Sequence, residues 1–214
     1  TINATTENVI CNSTNTGSID VAVSGGVTPF SYTWNNGENS SSIDDLIAGD
    51  YLISVEDACT SEAITTITII EPAPLNTSIS GTHISCYGLG DGTATVFVSG
   101  GTTPYSYTWN NNQPFATAVG LFAGNYSVNV FDANFCLATN LIAITQPQIL
   151  STTITSINPT CNNNDGNALA EVSGGTTPYN YDWSNATTTA MVTELGLDEI
   201  TVTISDANNC IATD

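Results

Sequence analysis

Six cysteines carry most of the chemistry available to this 214-residue chain: Cys11, Cys59, Cys86, Cys136, Cys161 and Cys210. They fall into three pairs, separated by 48, 50 and 49 positions. Regular spacing of this kind fits a disulfide framework. Repetition favours the pairing Cys11–Cys59, Cys86–Cys136 and Cys161–Cys210, one bond per repeat. A closed loop of that size would stabilise by about 4 kcal/mol in the chain-entropy model. Three pairs of free, buried thiols are the alternative. Zinc is not expected as the organising centre, since there is no CxxC and the lone His83 cannot serve three equivalent sites. Disulfides imply an oxidising, extracellular setting.

Other chemistry is scarce. The chain has 20 acidic residues, no Lys and no Arg, for a net charge of -20. Without Lys there is no Schiff base, no phosphate-binding P-loop lysine and no Lys–Asn isopeptide crosslink. Without cations the surface repels nucleic-acid phosphates and anionic lipid headgroups, so neither nucleic acid nor a membrane is expected as a partner. A bare carboxylate pair, Asp44–Asp45, is all that remains for acid–base work, and it has no counterpart elsewhere in the chain. No enzyme is expected.

The acidic residues invite a calcium reading. Asp57, Asp132 and Asp206 recur after the same strand, and Asp91 and Asp165 sit in Asp-Gly turns. Calcium wants six to eight converging oxygens, whereas the middle repeat owns only Asp91 and Asp132 for the purpose. Turn chemistry, in which Asp bonds the local backbone, explains these residues better. No cofactor is expected, and weak Ca2+ association is as much as the acidic first repeat (Glu38, Asp44, Asp45, Asp50) supports.

The elements that position these residues repeat with the cysteines. SGGVTPFSYTW at 24–34 returns as SGGTTPYSYTW at 99–109 and SGGTTPYNYDW at 173–183. Self-similarity at a fixed period marks a tandem array, here with boundaries 1–73, 74–148 and 149–214. In the middle repeat, alternation predicts strands at 77–84, 93–98, 105–109, 115–121, 126–131 and 141–145. Turn signals separate them, and helical periodicity is absent. Short alternating strands with frequent turns predict antiparallel β-sandwiches. By the same alignment the third repeat lacks a closing strand, which later residues or a neighbouring subunit would supply. The chain reads as a piece of a longer protein, with short Pro-bearing joints that favour an extended rod.

Two aromatic features belong to the predicted core. Phe30, Tyr32 and Trp34 alternate along one strand, as do Tyr105, Tyr107 and Trp109, and Tyr179, Tyr181 and Trp183. Their period places each trio on one face. Trp34, Trp109 and Trp183 are expected inside, as in immunoglobulin-like sandwiches; a carbohydrate-stacking platform is the alternative. Tyr51 and Tyr126 follow a tight Gly-containing turn and predict tyrosine corners. Ile200 replaces the tyrosine in the third repeat, where a looser corner is expected.

The middle strings SGGTTPYSYTWNN, GLFAGNYSVNVFDANFC and ITQP, taken in order, resemble the SprB repeat of large surface adhesins from gliding Bacteroidetes. The resemblance covers nearly the whole chain. It implies type IX secretion, display on the outer surface as a filament, and a part in adhesion and gliding. The expected function is a disulfide-stapled stalk whose partners are neighbouring repeats or filament subunits. The alternative is an array of polysaccharide-binding modules that use exposed loops or aromatics.

Overall fold

The computed structural model describes every residue except Asn162. The described residues form eighteen strands and no helix. In the first repeat these are β1 (Ile2–Glu7), β2 (Gly17–Val23), β3 (Ser31–Trp34), β4 (Ser42–Leu46), β5 (Gly49–Glu56) and β6 (Glu62–Ile69). They form two antiparallel three-stranded sheets, β1-β2-β4 and β3-β5-β6. This is the immunoglobulin-like arrangement of strands A, B and E against C, F and G, without a D strand.

The strand order returns twice. β7 (Asn76–Thr82), β8 (Gly92–Ser99) and β10 (Thr117–Leu121) form one sheet; β9 (Ser106–Trp109), β11 (Gly124–Phe131) and β12 (Leu137–Ile144) form another. In the third repeat, β13 (Ser151–Ile157), β14 (Gly166–Ser173) and β16 (Met191–Leu195) pair, as do β15 (Asn180–Trp183), β17 (Val202–Ser205) and β18 (Ile211–Thr213).

Period-2 alternation determines which residues enter the core. Ile19, Val21, Tyr51, Ile53 and Val55 pack with Trp34, Ile43, Leu46 and Ile69 between the two sheets of the first repeat. Ala168, Ala170, Val192, Val202 and Ile204 surround Trp183 in the third. A β-bulge recurs just before Leu46, Leu121 and Leu195, where Asp45, Gly120 and Glu194 adopt positive φ. Asp45 is therefore an exposed bulge residue, and the Asp44–Asp45 pair is local backbone geometry.

Contacts divide the chain into two compact units. One comprises Thr1–Ser78, Val96–Phe115 and Val128–Asn140; the other comprises Ile79–Thr95, Ala116–Ser127 and Leu141–Asp214. Of the buried residues of the middle repeat, Trp109, Val128 and Val130 belong to the first unit, and Ala94, Ala118, Leu121 and Ile144 to the second.

The closing strand differs from expectation. It starts directly after the second cysteine loop, at Glu62 and Leu137, rather than several residues later. The third repeat accordingly does have a closing strand, β18, of three residues against eight in β6 and β12. Asp214 extends the pairing through two backbone hydrogen bonds with Val202.

Candidate functional site

Within the first repeat the two cysteines lie at opposite ends of the sandwich. β1 leads to the turn around Cys11, where the Asn12 amide donates to Pro72 O and the Ser13 N–H donates to Glu71 Oε2, both in the exit linker. β5 begins at that end and runs back toward Ser24–Val27, where the loop carrying Cys59 closes. Eight residues of β5 at ~3.3 Å each separate the two ends by ~25 Å. A disulfide tolerates a Cα separation of only about 4.4–6.8 Å. The expected pairings Cys11–Cys59, Cys86–Cys136 and Cys161–Cys210 are therefore not formed.

The bonds instead join successive repeats. Cys11 is bonded to Cys136, and Cys86 to Cys210, each with a Cα separation of 5.6 Å. Each bond lies within one compact unit. The first cysteine of one repeat takes the second cysteine of the next. Cys59 and Cys161 are free and exposed, so neither joins the predicted framework.

A buried aspartate shapes each receiving loop. Asp132 Oδ1 accepts the N–H groups of Asn134 and Cys136 at 2.8 and 2.9 Å, and its Oδ2 accepts that of Thr102 at 2.9 Å. Asp206 does the same with Asn208, Cys210 and Thr176 at 2.8, 2.9 and 2.8 Å. These aspartates are 4% and 1% exposed. Asp57 repeats the clamp with Cys59, Ser61 and Val27. The N–H groups of Ser61, Val27 and Cys59, in that order, hold its carboxyl below the ordinary aspartate value. The recurring aspartates thus spend their oxygens on backbone, as turn chemistry requires. Among the described residues no cluster of His, Cys, Asp and Glu could hold a metal.

The clamp also corrects the alignment of the cysteines. Asp57 reaches Ser61 where Asp132 reaches Cys136, and both loops put a positive-φ residue (Thr60, Phe135) just before that position. Ser61 therefore stands at the bonding position in the first repeat. Cys59 stands two residues earlier, where the other loops carry Asn134 and Asn208.

Those asparagines were not singled out by sequence, and they supply the polar half of each junction. Asn134 Nδ2 donates to Ile10 O at 3.1 Å and to Thr102 Oγ1 at 3.2 Å. Asn208 Nδ2 donates to Ser85 O at 2.8 Å and to Thr176 Oγ1 at 3.2 Å. The signal was the recurrence of Asp-Ala-Asn before the cysteine. The linker adds a second tie, since the Gly88 N–H donates to Gln146 Oε1 as Ser13 does to Glu71.

The Ser-Gly-Gly turn is built against the same aspartates. Gly101 and Gly175 have φ of 60° and 61°, and a Cβ on either would stand 2.9 or 2.8 Å from Oδ2 of Asp132 or Asp206. Their N–H groups donate to the linker carbonyls of Ala73 and Gln148 at 2.8 and 2.9 Å. Tyr105 and Tyr179 close the turn by donating to Gly100 O and Gly174 O at 2.6 Å. That hydroxyl role was hidden behind the aromatic alternation.

Trp34, Trp109 and Trp183 are buried, and their indole N–H groups donate to Ser40 O, Phe115 O and Thr189 O, each at 2.8 Å. They therefore present no open stacking platform. The tyrosine corners are present, with Tyr51 OH donating to Ile47 O at 2.9 Å and Tyr126 OH to Phe122 O at 3.0 Å. In the third repeat, with Ile200 at that place, β17 begins only at Val202.

A family model described as the SprB repeat matches residues 3–39, 80–114 and 153–188, which together exceed half of the chain. The chain belongs to the SprB repeat family. No curated protein matches it. Among solved structures, this SprB-repeat chain aligns with one titled for the structural basis of Dscam isoform specificity (10% identity, 98% of this chain, 70% of that one, TM-score 0.29). It also aligns with an amphioxus IgVJ-C2 molecule (14%, 67% and 96%, TM-score 0.28). A third alignment is with the four N-terminal Ig domains of Dscam1 isoform 8.4 (12%, 98% and 71%, TM-score 0.30). Likenesses this distant carry no argument about arrangement or function. The immunoglobulin-like topology of the SprB repeats rests on their own strand order.

Proposed function

We propose that this chain is a load-bearing stalk segment of an extracellular surface adhesin or filament. One observation carries the reading: its disulfides link successive repeats and overlap along the sequence. Between the Cys11–Cys136 bond and the Cys86–Cys210 bond the chain runs three times, through residues 11–86, 86–136 and 136–210. Tension applied across these bonds is shared by three covalent segments in parallel, and the shortest limits the extension. Membership of the SprB repeat family supports surface display, adhesion and, in gliding organisms, export by the type IX system. The buried tryptophans leave the polysaccharide-binding alternative without its main platform.

Single-molecule pulling from the termini tests the reading. With both bonds intact, the span from Cys11 to Cys210 cannot exceed the 50 positions between Cys86 and Cys136, or ~170 Å at ~3.4 Å per residue. After reduction the same span reaches ~680 Å. Equal extension in the two states would overturn the proposal, as would rupture of the oxidised chain at forces no higher than those of the reduced one.

A further inference from the structure

Cys161 occupies the position that is bonded in both preceding repeats. The residue before it is held as the one before Cys86 is. The Thr160 N–H donates to Asp165 Oδ1 at 2.7 Å and its hydroxyl to Asp165 Oδ2 at 2.6 Å. The N–H and hydroxyl of Ser85 make the same two bonds to Asp91. Thr160 is thus the counterpart of Ser85, and of Ile10, whose N–H donates to Thr16 Oγ1. Cys161 is then the counterpart of Cys86 and Cys11, and it is exposed.

Both counterparts receive the same kind of partner. Cys11 and Cys86 are bonded to the last residue of an Asp-x-x-x-Cys loop, at Asp132–Cys136 and Asp206–Cys210. The asparagine in each loop docks on the carbonyl just before the bonded cysteine, that of Ile10 or Ser85. In the third repeat the corresponding carbonyl, Thr160 O, accepts the Asn163 N–H of its own turn.

We propose that Cys161 is an open junction cysteine, and that it forms a disulfide with the Asp-x-x-x-Cys loop of a further SprB-type repeat. Each thiol gives up one proton, and the two sulfurs together lose two electrons as the S–S bond forms. A low-molecular-weight disulfide such as oxidised glutathione takes up both protons and both electrons as its own S–S bond breaks into two thiols. The first cysteine of each repeat would then be tied to the second cysteine of the next.

The phase of the repeats supplies the test. Cys210 corresponds to Cys136, so Asp214 corresponds to Asn140. Appending a second copy of residues 141–214 directly after Asp214 therefore completes the third repeat and adds a fourth in register. A second extension appends residues 141–148 followed by 74–140, which presents the Cys136 loop instead. Each extended chain is oxidised with glutathione, alkylated and digested with pepsin, because a chain without Lys or Arg offers trypsin no site. Mass spectrometry should find Cys161 joined to Cys210 in the first extension and to Cys136 in the second; alkylation at Cys161 should be lost in the second, which holds a single Cys161, and should fall by half in the first, which holds two. The Cys11–Cys136 and Cys86–Cys210 peptides in the same digest report whether the native junctions formed. The proposal is overturned if those bonds form while the single Cys161 of the second extension stays alkylated, carries glutathione or pairs elsewhere.

Discussion

Cys11 is bonded to Cys136, 125 residues away, while Cys59 of its own repeat stays free. The bond fastens the exit turn of one repeat to the entry loop of the next, so the sulfur chemistry serves the junction and leaves each sandwich to be held by its own core. A Cys136→Ser chain should retain the Cys86–Cys210 bond and expose Cys11 as an additional reactive thiol. Its stability to urea should fall by about 5 kcal/mol, the chain-entropy value for a loop of this length. Thiol titration and urea unfolding check both outcomes. Under the intra-repeat pairing the new free thiol would instead be Cys86.

The aspartate clamp makes a graded prediction. Asp206 is 1% exposed and accepts three backbone N–H groups. An amide nitrogen in place of one carboxylate oxygen cannot accept, so Asp206→Asn leaves at least one buried donor without a partner. Hydrogen bonds to charged groups contribute about 1.5–3 kcal/mol each, and a loss of about 3 kcal/mol in urea unfolding is expected. Asp57→Asn, at the more open end of the first repeat, should cost clearly less. Equal losses would mean that burial of the clamp adds nothing.

The glycines of the repeated turn differ in the room around them, and Gly25, unlike its crowded counterparts Gly100 and Gly174, stands free. Gly175 has φ of 61°, with Asp206 Oδ2 2.8 Å from where a Cβ would stand. Gly25 has φ of 81° and open space around it. Gly25→Ala should cost only the left-handed backbone penalty, about 1 kcal/mol. Gly175→Ala adds the displacement of a buried carboxylate and should cost at least about 2–3 kcal/mol. Thermal unfolding of the two variants side by side reads the difference.

Much of this molecule was legible in its sequence. Period-2 runs such as Ile19, Val21 and Val23 gave the strands, and the indoles lie inside as expected; of the two tyrosines expected in the core, Tyr51 is buried, whereas Tyr126 makes its corner bond from a half-exposed position. The disulfide pairing was not legible, and the reason lies in strand direction. β3 and β4 are both short and run the same way, one after the other, while each of their neighbours reverses. A chain read as simple reversals places the ends of β1 and β5 together; the real path places them a strand length apart. The 48-position spacing of Cys11 and Cys59, against 50 in the middle repeat, was the visible trace of a cysteine two residues out of place. The asparagines that dock on Ile10 O and Ser85 O stayed hidden because their partners lie more than 120 residues away.

Acid should loosen the exit turns selectively. The Ser85 hydroxyl, then its N–H, hold Asp91 below the ordinary aspartate value, and the Thr160 hydroxyl, then its N–H, do the same for Asp165. Folding therefore favours the charged carboxylate, and the unfolded chain takes up protons first. The stabilisation is complete above the ordinary value of about 4 and disappears as the pH falls through the depressed values of the folded state. The first repeat provides the control, because its turn uses the Thr16 hydroxyl, which does not titrate in this range, to accept the Ile10 N–H at 2.8 Å. Amide exchange, corrected for its intrinsic pH dependence, should show protection at Ser85 and Thr160 falling below pH ~4 while Ile10 keeps its own. Parallel loss at all three amides would place the acid sensitivity in global unfolding and remove these carboxylates as its cause.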